Sequence, residues 1–424
     1  MAKRHRSQIG NLQSLFLRLE ELVIANSGQD EFEEIFKLVI AKLFDEKFNN
    51  SSGFILSPSP DDVYQSITTL LRRSENRWPG ILPPLPEPGL TPEHLSVCVR
   101  ELAQHSVGTG SLESFDEFFE FLVARTAKGN KGQYFTPRHV VEMCVRLVDP
   151  GPDDIIGDPA CGSGGFLVHA LQHVRRKLGN DAELTARYAA QSIWGFDLDE
   201  RAVRIARALM VIDGDGSGNL FRLNSLLTQN RQRLLAPNAA SEASMTIEDV
   251  VHPTITGHGF FDVILTNPPF AGEIRENDIL DAYDNSRGKA RVERDVLFVE
   301  RCINLLKPGG RMAIVLPHNK LSSAFFSDLR LWVMQRCAMI GVVSLGRNVF
   351  MPHTQQKTGV VLLRKKMWPS EIISDPVFFA VSEQDGKDSR GNHILRLGAA
   401  SGAPLWDRLD HDLEDIVAHF SEAA

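Results

Sequence analysis

The sequence predicts an α/β protein built on a doubly wound, mostly parallel seven-stranded sheet, preceded by a helical domain. Three observations carry this. Short β-branched and aromatic runs near Ile155, Ile193, Leu220, Val263, Ala313, Val342 and Val361 alternate with stretches of helical periodicity. The first run ends in a Gly-rich turn that opens a helix, and the second ends in an acid. Ahead of Lys128 the apolar residues instead recur at helical spacing.

At 424 residues the chain exceeds the usual single-domain size. The expected division is a helical domain over 1–128, a catalytic domain over 129–385 and a tail with an amphipathic helix over 386–424. Hydrophobic residues make up 43% and charged residues 24%, and no run approaches the length of a membrane span. The basic start from Met1 to Arg6 is followed by no apolar signal core, so a cytoplasmic protein is expected. Cys98, Cys144, Cys161, Cys302 and Cys337 are scattered without the paired spacing of a zinc site or disulfide framework, so no metal is expected. A net charge of −8 and a pI near 5.9 disfavour a polyanion at long range. Any nucleic-acid contact must then be local or supplied by a partner.

In the first part, Phe32, Ile35, Phe36, Val39, Ile40, Leu43 and Phe44 mark an amphipathic helix from Glu31 to Lys47. Segments through Leu12 to Leu22 and Val63 to Leu71 also read as helical. Pro79, Pro83, Pro84, Pro86 and Pro88 make an extended connector, after which Thr91-Pro92-Glu93 supplies a cap, a first-turn proline and an acid for a new helix. Another helix runs through Phe115, Phe118, Phe119 and Leu122. Lys128 to Gly132 reads as a flexible boundary.

The first strand of the sheet leads into Asp158-Pro159-Ala160-Cys161-Gly162-Ser163-Gly164-Gly165, then a helix through Leu167, Leu171 and Val174. Gly162 and Gly164 let the backbone turn sharply and approach a ligand, with helix N–H groups available at the turn. A P-loop is excluded because no Gly-Lys-Ser/Thr follows, and the full dinucleotide pattern is missing. The second strand ends in Asp197, placed to accept ribose hydroxyls or simply to serve the helix start beside Asp199. The third ends at Leu223-Asn224-Ser225, where Asn224 either reads an adenine edge or makes a turn.

The fourth run, Phe261 to Thr266, meets Asn267-Pro268-Pro269-Phe270. Proline has no N–H for a sheet ladder, so the strand stops at Thr266. A residue before proline is biased to extended backbone, which helps to fix the Asn267 amide. Its side-chain oxygen and the Pro268 carbonyl can accept from an exocyclic amine, while Phe270 offers a flat face. The alternative is a strand leaving through a proline turn.

With these pieces in order, the chain resembles the adenine-N6 DNA methyltransferases, in particular the modification subunits of type I restriction systems. Gly132-Gln133-Tyr134-Phe135-Thr136-Pro137-Arg138 resembles their cofactor segment, and it lies ahead of the Gly-rich turn as in that family. The resemblance covers roughly 125–385 well and the helical part more loosely. It implies a class I S-adenosylmethionine-dependent methyltransferase fold. Cofactor would be held by Gln133, Tyr134, Phe135 and Thr136, by Asp158 and the Gly162, Ser163, Gly164, Gly165 turn, and by Asp197 at the ribose. Thr136 would bind the methionine carboxylate and Asn224 the adenine, a position where many relatives carry Asp. Asn267, Pro268, Pro269 and Phe270 would form the catalytic tip holding a flipped base, with Phe350 stacking on its other face.

Two acceptors at the tip suit the chemistry, because they favour the pyramidal amine whose lone pair can attack a sulfonium methyl. No strong base is needed, since the proton leaves after the amine has become cationic. Two other functions keep the same residues: methyl transfer to RNA or to protein glutamine, and a scaffold subunit without catalysis. Phe270 at the tip and the position of the cofactor segment favour adenine in DNA. After the seventh strand, Met367 to Ala424 suffices for one more strand at Val377 to Val381 and a helix with Leu413, Ile416, Val417 and Phe420, but not for a recognition domain. The expected partners are therefore double-stranded DNA, a specificity subunit and, beyond it, a restriction subunit, with no membrane. The specificity subunit is expected on exposed apolar faces of the helices Glu31 to Lys47 and Leu413 to Phe420. Residues 271–294, acidic then basic, are expected to be a mobile loop that DNA orders over the base. The insertion 228–259 is expected to cover a sheet edge.

Overall fold

A computed structural model describes residues 9–22, 27–51, 53–54, 57–107, 115, 118–119, 121–122, 135–213, 219–228, 245–251, 259–398 and 405–423. The basic start, the boundary at Lys128 to Gly132, Gln133, Tyr134 and most of the insertion 228–259 lie outside them. The chain divides into two compact units, Met1–Asn130 with Arg207–Ser217, and Lys131–Ala206 with Gly218–Ala424.

The first unit is helical, with Ile9–Leu22, Glu31–Phe48, Pro60–Arg77 and Pro92–Ala103. The last begins where its cap signals place it: Thr91 accepts from the His94 N–H at 3.4 Å and Pro92 occupies the first turn. Phe32, Ile35, Phe36, Val39, Ile40, Leu43 and Phe44 are all buried, the Phe32 and Phe36 rings stacked 5.4 Å apart. This overturns the expectation that the Glu31 to Lys47 helix offers an exposed apolar face, because its own unit consumes that face. The C-terminal helix, Leu413–Ala423, differs little: Leu413, Ile416 and Val417 are buried and Phe420 packs edge-on to Phe378 at 5.2 Å.

The second unit holds strands β1 (Ile156–Asp158), β2 (Ile193–Asp197), β3 (Asn219–Arg222), β4 (Phe261–Thr266), β5 (Glu273–Ile274), β6 (Val292–Glu293), β7 (Leu306–Pro317), β8 (Cys337–Ser344), β9 (Thr358–Lys365) and β10 (Phe378–Val381). All but β5 and β6 form one sheet, ordered β10-β8-β9-β7-β4-β1-β2-β3. It is eight-stranded and mixed, not seven-stranded. The added strand is β10, which pairs parallel with β8, while β9 runs antiparallel between β7 and β8. The parallel neighbours β4, β1 and β2 place their carboxyl ends along one edge. Strand order reverses around β1, so that edge is where a ligand crevice opens in a doubly wound sheet.

Helices Arg138–Val148 and Gly165–Lys177 pack on each other and on the central strands. A second core cluster joins helix Arg294–Leu305 to Phe196, Phe261, Ile264, Met312, Ile314 and Leu363. That cluster also takes in Ile274, Ile279, Leu280, Tyr283 and Val292, which corrects the reading of 271–294 as a mobile loop with few apolar anchors. The segment opens and closes as the β5–β6 hairpin, and the Arg294 N–H donates to the Gly272 carbonyl at 2.9 Å. Between the two strands, the Tyr283 hydroxyl donates to the Leu226 carbonyl at 2.8 Å, and the Glu300 carboxylate accepts the backbone N–H groups of Asp284 and Asn285. These anchors are spaced irregularly along short turns, so neither helical nor strand periodicity reveals them. Among the described residues no helix is long and apolar enough to cross a membrane.

Candidate active site

At the end of β1 the backbone turns through Gly162, at φ +51°, and Gly164, at φ +84°. A side chain at Gly164 would place its Cβ 2.9 Å from that of Ala206, so close helix packing requires glycine there. At Gly162 no atom of the described residues lies within 4 Å of where a Cβ would stand, so among them the turn presents bare backbone to open space. Helix Gly165–Lys177 follows with Gly164 at its N-cap and no side-chain cap, which leaves N–H donors at its start. The Arg138 guanidinium lies over Gly165, where a Cβ would stand 1.7 Å from its Nη1.

Asp197, at the end of β2, ties this turn to the second strand. One carboxylate oxygen accepts from the Gly162 N–H and the other from the Asp199 N–H, each at 2.9 Å. Burial raises the Asp197 carboxyl above its ordinary pKa, against the pull of these donors. Asp158 lies beneath, almost fully buried, accepting from the Ala160 N–H at 3.0 Å. Burial pushes it up to about 7. Ser163 is buried in the turn. Past β3, the Asn224 side-chain oxygen accepts from the Leu226 N–H at 3.1 Å, which is the turn-making use of that residue. Arg301 holds the same turn through the carbonyls of Ser225 and Leu227, and itself pairs with Glu248.

β4 ends at Thr266, as the prolines require. Asn267 is half-buried, Pro268 and Phe270 are buried, and Pro269 is half-buried. The Asn267 Nδ2 donates to Thr136 Oγ1 at 2.9 Å. Its Oδ1 is buried without a hydrogen-bond partner among the described residues. An acceptor left so costs about 1–3 kcal/mol, a cost that a ligand amine could relieve. Phe135 is half-buried beside Thr136, whereas Gln133 and Tyr134 are outside the described residues.

Phe350 reaches the tip from the segment between β8 and β9. Its ring meets that of Phe270 edge to face, centroids 5.8 Å apart. The aromatic pair expected to flank a base is therefore together and closed. Two residues that pattern reading missed brace the Phe350 segment: the Asp385 carboxylate accepts from the Asn348 N–H at 3.1 Å, and Lys387 Nζ donates to the Met351 carbonyl at 3.0 Å. They lie 37 and 36 residues further along the chain than the groups they hold, beyond any local signal. The structure thus collects Phe135, Thr136, Asp158, the Gly162 to Gly165 turn, Asp197, Asn224, Asn267 to Phe270 and Phe350 in one unit. Among the described residues no cluster of His, Cys, Asp and Glu could hold a metal.

A family model described as N-6 DNA methylase matches residues 111–406. The methylase subunit of the type I restriction enzyme EcoEI from Escherichia coli is 27% identical over 258 residues, 61% of this chain and 47% of that protein. The chain spans about half the length of the curated relatives it matches first. Among solved structures, a protein described as a modification subunit of a type I restriction enzyme from Vibrio vulnificus aligns over 99% of this chain and 90% of its own, at TM-score 0.63 and 18% identity. A Listeria monocytogenes protein described as a class I S-adenosylmethionine-dependent methyltransferase aligns over 87% and 92%, at TM-score 0.53 and 14% identity. At such identities the likeness is one of fold.

Proposed function

The chain belongs to the N-6 DNA methylase family, and on that premise we propose that it methylates N6 of an adenine flipped out of double-stranded DNA. Its fold is that of the class I S-adenosylmethionine-dependent methyltransferases, with the mixed eight-stranded sheet described above. The observation that carries the proposal is the Asn267 amide, just past the end of the strand that pairs with β1: one end is held by Thr136 and the other is a buried acceptor with no partner among the described residues.

The residues fit S-adenosylmethionine. Bare backbone at Gly162, uncapped N–H donors at the following helix and the Asp197 carboxylate are the groups that would hold it. When bound, it supplies an electrophilic methyl on a sulfonium centre. The chain's own part is to shape the amine. Asn267 Oδ1 and the Pro268 carbonyl accept its two hydrogens, which draws the nitrogen lone pair out of conjugation with the ring. The proton is lost to water after transfer, so no general base is required of the tip. Phe270 and Phe350 would separate to take the base between them, since a base in a duplex must be extruded to reach this edge.

By the same reading the chain is the modification subunit of a restriction-modification or related defence complex, with a specificity subunit supplying sequence recognition and a restriction subunit as a further partner. Support comes from the relatives named as methylase subunits and from a net charge of −8 that repels DNA phosphate at long range. The test is transfer of labelled methyl from S-adenosylmethionine to DNA, RNA and protein, with and without a candidate specificity subunit. N6-methyladenine in DNA is the expected product. Label appearing in RNA or on glutamine, or no cofactor binding at all, would overturn the assignment.

A further inference from the structure

We propose that Thr136 is a positioning residue, whose hydroxyl fixes the rotation of the Asn267 amide so that Oδ1 meets the target amine. The inference deepens the function just proposed and rests on it. Its starting point is the 2.9 Å bond from Asn267 Nδ2 to Thr136 Oγ1, with Oδ1 buried and unpartnered among the described residues.

An asparagine amide has two nearly isosteric orientations, and only one presents an acceptor. In the reversed orientation the Thr136 hydroxyl could still bond the amide, donating to Oδ1, but the amino group would then lie where Oδ1 now lies, burying two unmatched donors in place of one acceptor. The hydroxyl holds the amide, and the buried end selects which way it points. With a target amine the contrast grows, since N–H would then face N–H. The hydroxyl can hold the amide firmly because both backbones are pinned. Thr136 precedes Pro137 and Asn267 precedes Pro268, and a residue before proline is restricted to extended conformations. Pro137 is in addition the N-cap of helix Arg138–Val148, its carbonyl accepting from the Val140 and Val141 N–H groups, and that helix packs on β4. Two proline-locked ends are thus joined by one side-chain bond.

The bond gives the Thr136 side chain a task different from the cofactor carboxylate contact that the family resemblance implies, and the two tasks separate experimentally. Full-length chain labelled with 15N-asparagine is compared with Thr136→Val, which is isosteric, and Thr136→Ser, which keeps the hydroxyl. The Asn267 side-chain amide signal is identified by its loss in Asn267→Ala. In Thr136→Val its hydrogen exchange should quicken about tenfold. S-adenosylhomocysteine affinity, measured by calorimetry, should stay within about twofold, and kcat for methyl transfer to plasmid DNA should fall about 10- to 100-fold with little change in KM. Thr136→Ser should restore both exchange protection and kcat. Unchanged amide exchange in Thr136→Val overturns the proposal. So does a loss of S-adenosylhomocysteine affinity with kcat at saturating cofactor preserved, which would make Thr136 a cofactor ligand only. A wild-type chain that binds no S-adenosylhomocysteine sinks the functional reading itself, and the exchange data then still decide whether the hydroxyl holds the amide.

Discussion

The Phe270 and Phe350 rings meet edge to face, centroids 5.8 Å apart and planes inclined at 73°. A base can occupy the space between them only after they part. Parting an aromatic pair costs about 0.5–1.5 kcal/mol, whereas stacking a base returns about 1–3 kcal/mol, so the exchange favours the base. Phe350→Leu keeps most of the volume and removes the ring. It should therefore weaken use of DNA, lowering kcat/KM for methyl transfer about fivefold or more, with cofactor affinity unchanged. A kcat/KM equal to wild type would make Phe350 a packing residue alone.

Cofactor and target are assigned to different residues of the same edge, and paired variants should show it. Asp197→Ala is expected to weaken S-adenosylhomocysteine binding by about 1–3 kcal/mol through lost charge-assisted hydrogen bonds. Asn267→Ala should bind it nearly as wild type and yet transfer no methyl group. Calorimetry and a labelled-methyl assay on both variants check the split. Near-native turnover in Asn267→Ala would make the tip structural.

Asp158 links stability to pH. Burial lifts its carboxyl from 3.8 to about 7. Such an acid binds its proton more tightly folded than unfolded, so its contribution is fully present below the unfolded pKa and is lost as pH climbs to the folded one. Asp158→Asn cannot ionise, and its amide oxygen still accepts from Ala160. Relative to wild type, the variant should gain stability between about pH 4 and pH 7, by up to about 4 kcal/mol. Urea melts across that range test this, and a constant difference would show that Asp158 titrates normally.

The 271–294 segment should be protected from hydrogen exchange in the free chain, because Tyr283 and four aliphatic side chains anchor it in the core. Tyr283→Ala removes a fully buried ring that also holds the Leu226 carbonyl. It should destabilise the protein by about 3–5 kcal/mol. Fast exchange throughout 273–293 in wild type would restore the picture of a mobile clamp.

What the sequence by itself determined was local and periodic. Thr91-Pro92-Glu93 started a helix because cap and ring geometry act over one turn, and Pro268 ended β4 because a missing N–H ends a ladder. The Gly162 to Gly165 turn and the acid at Asp197 were legible as chemistry placed at strand ends, which a parallel sheet brings to one edge. Only the tertiary structure decided what those groups touch. The Thr136 hydroxyl meets Asn267 across 131 residues, and Tyr283 reaches Leu226 across 57. Side-chain partners at such separations leave no periodic trace, since they depend on strand order and not on spacing. The same reason misled the reading of surfaces. An amphipathic helix at Glu31–Phe48 declares that it has an apolar face, but only packing decides what covers it, and here its own unit does.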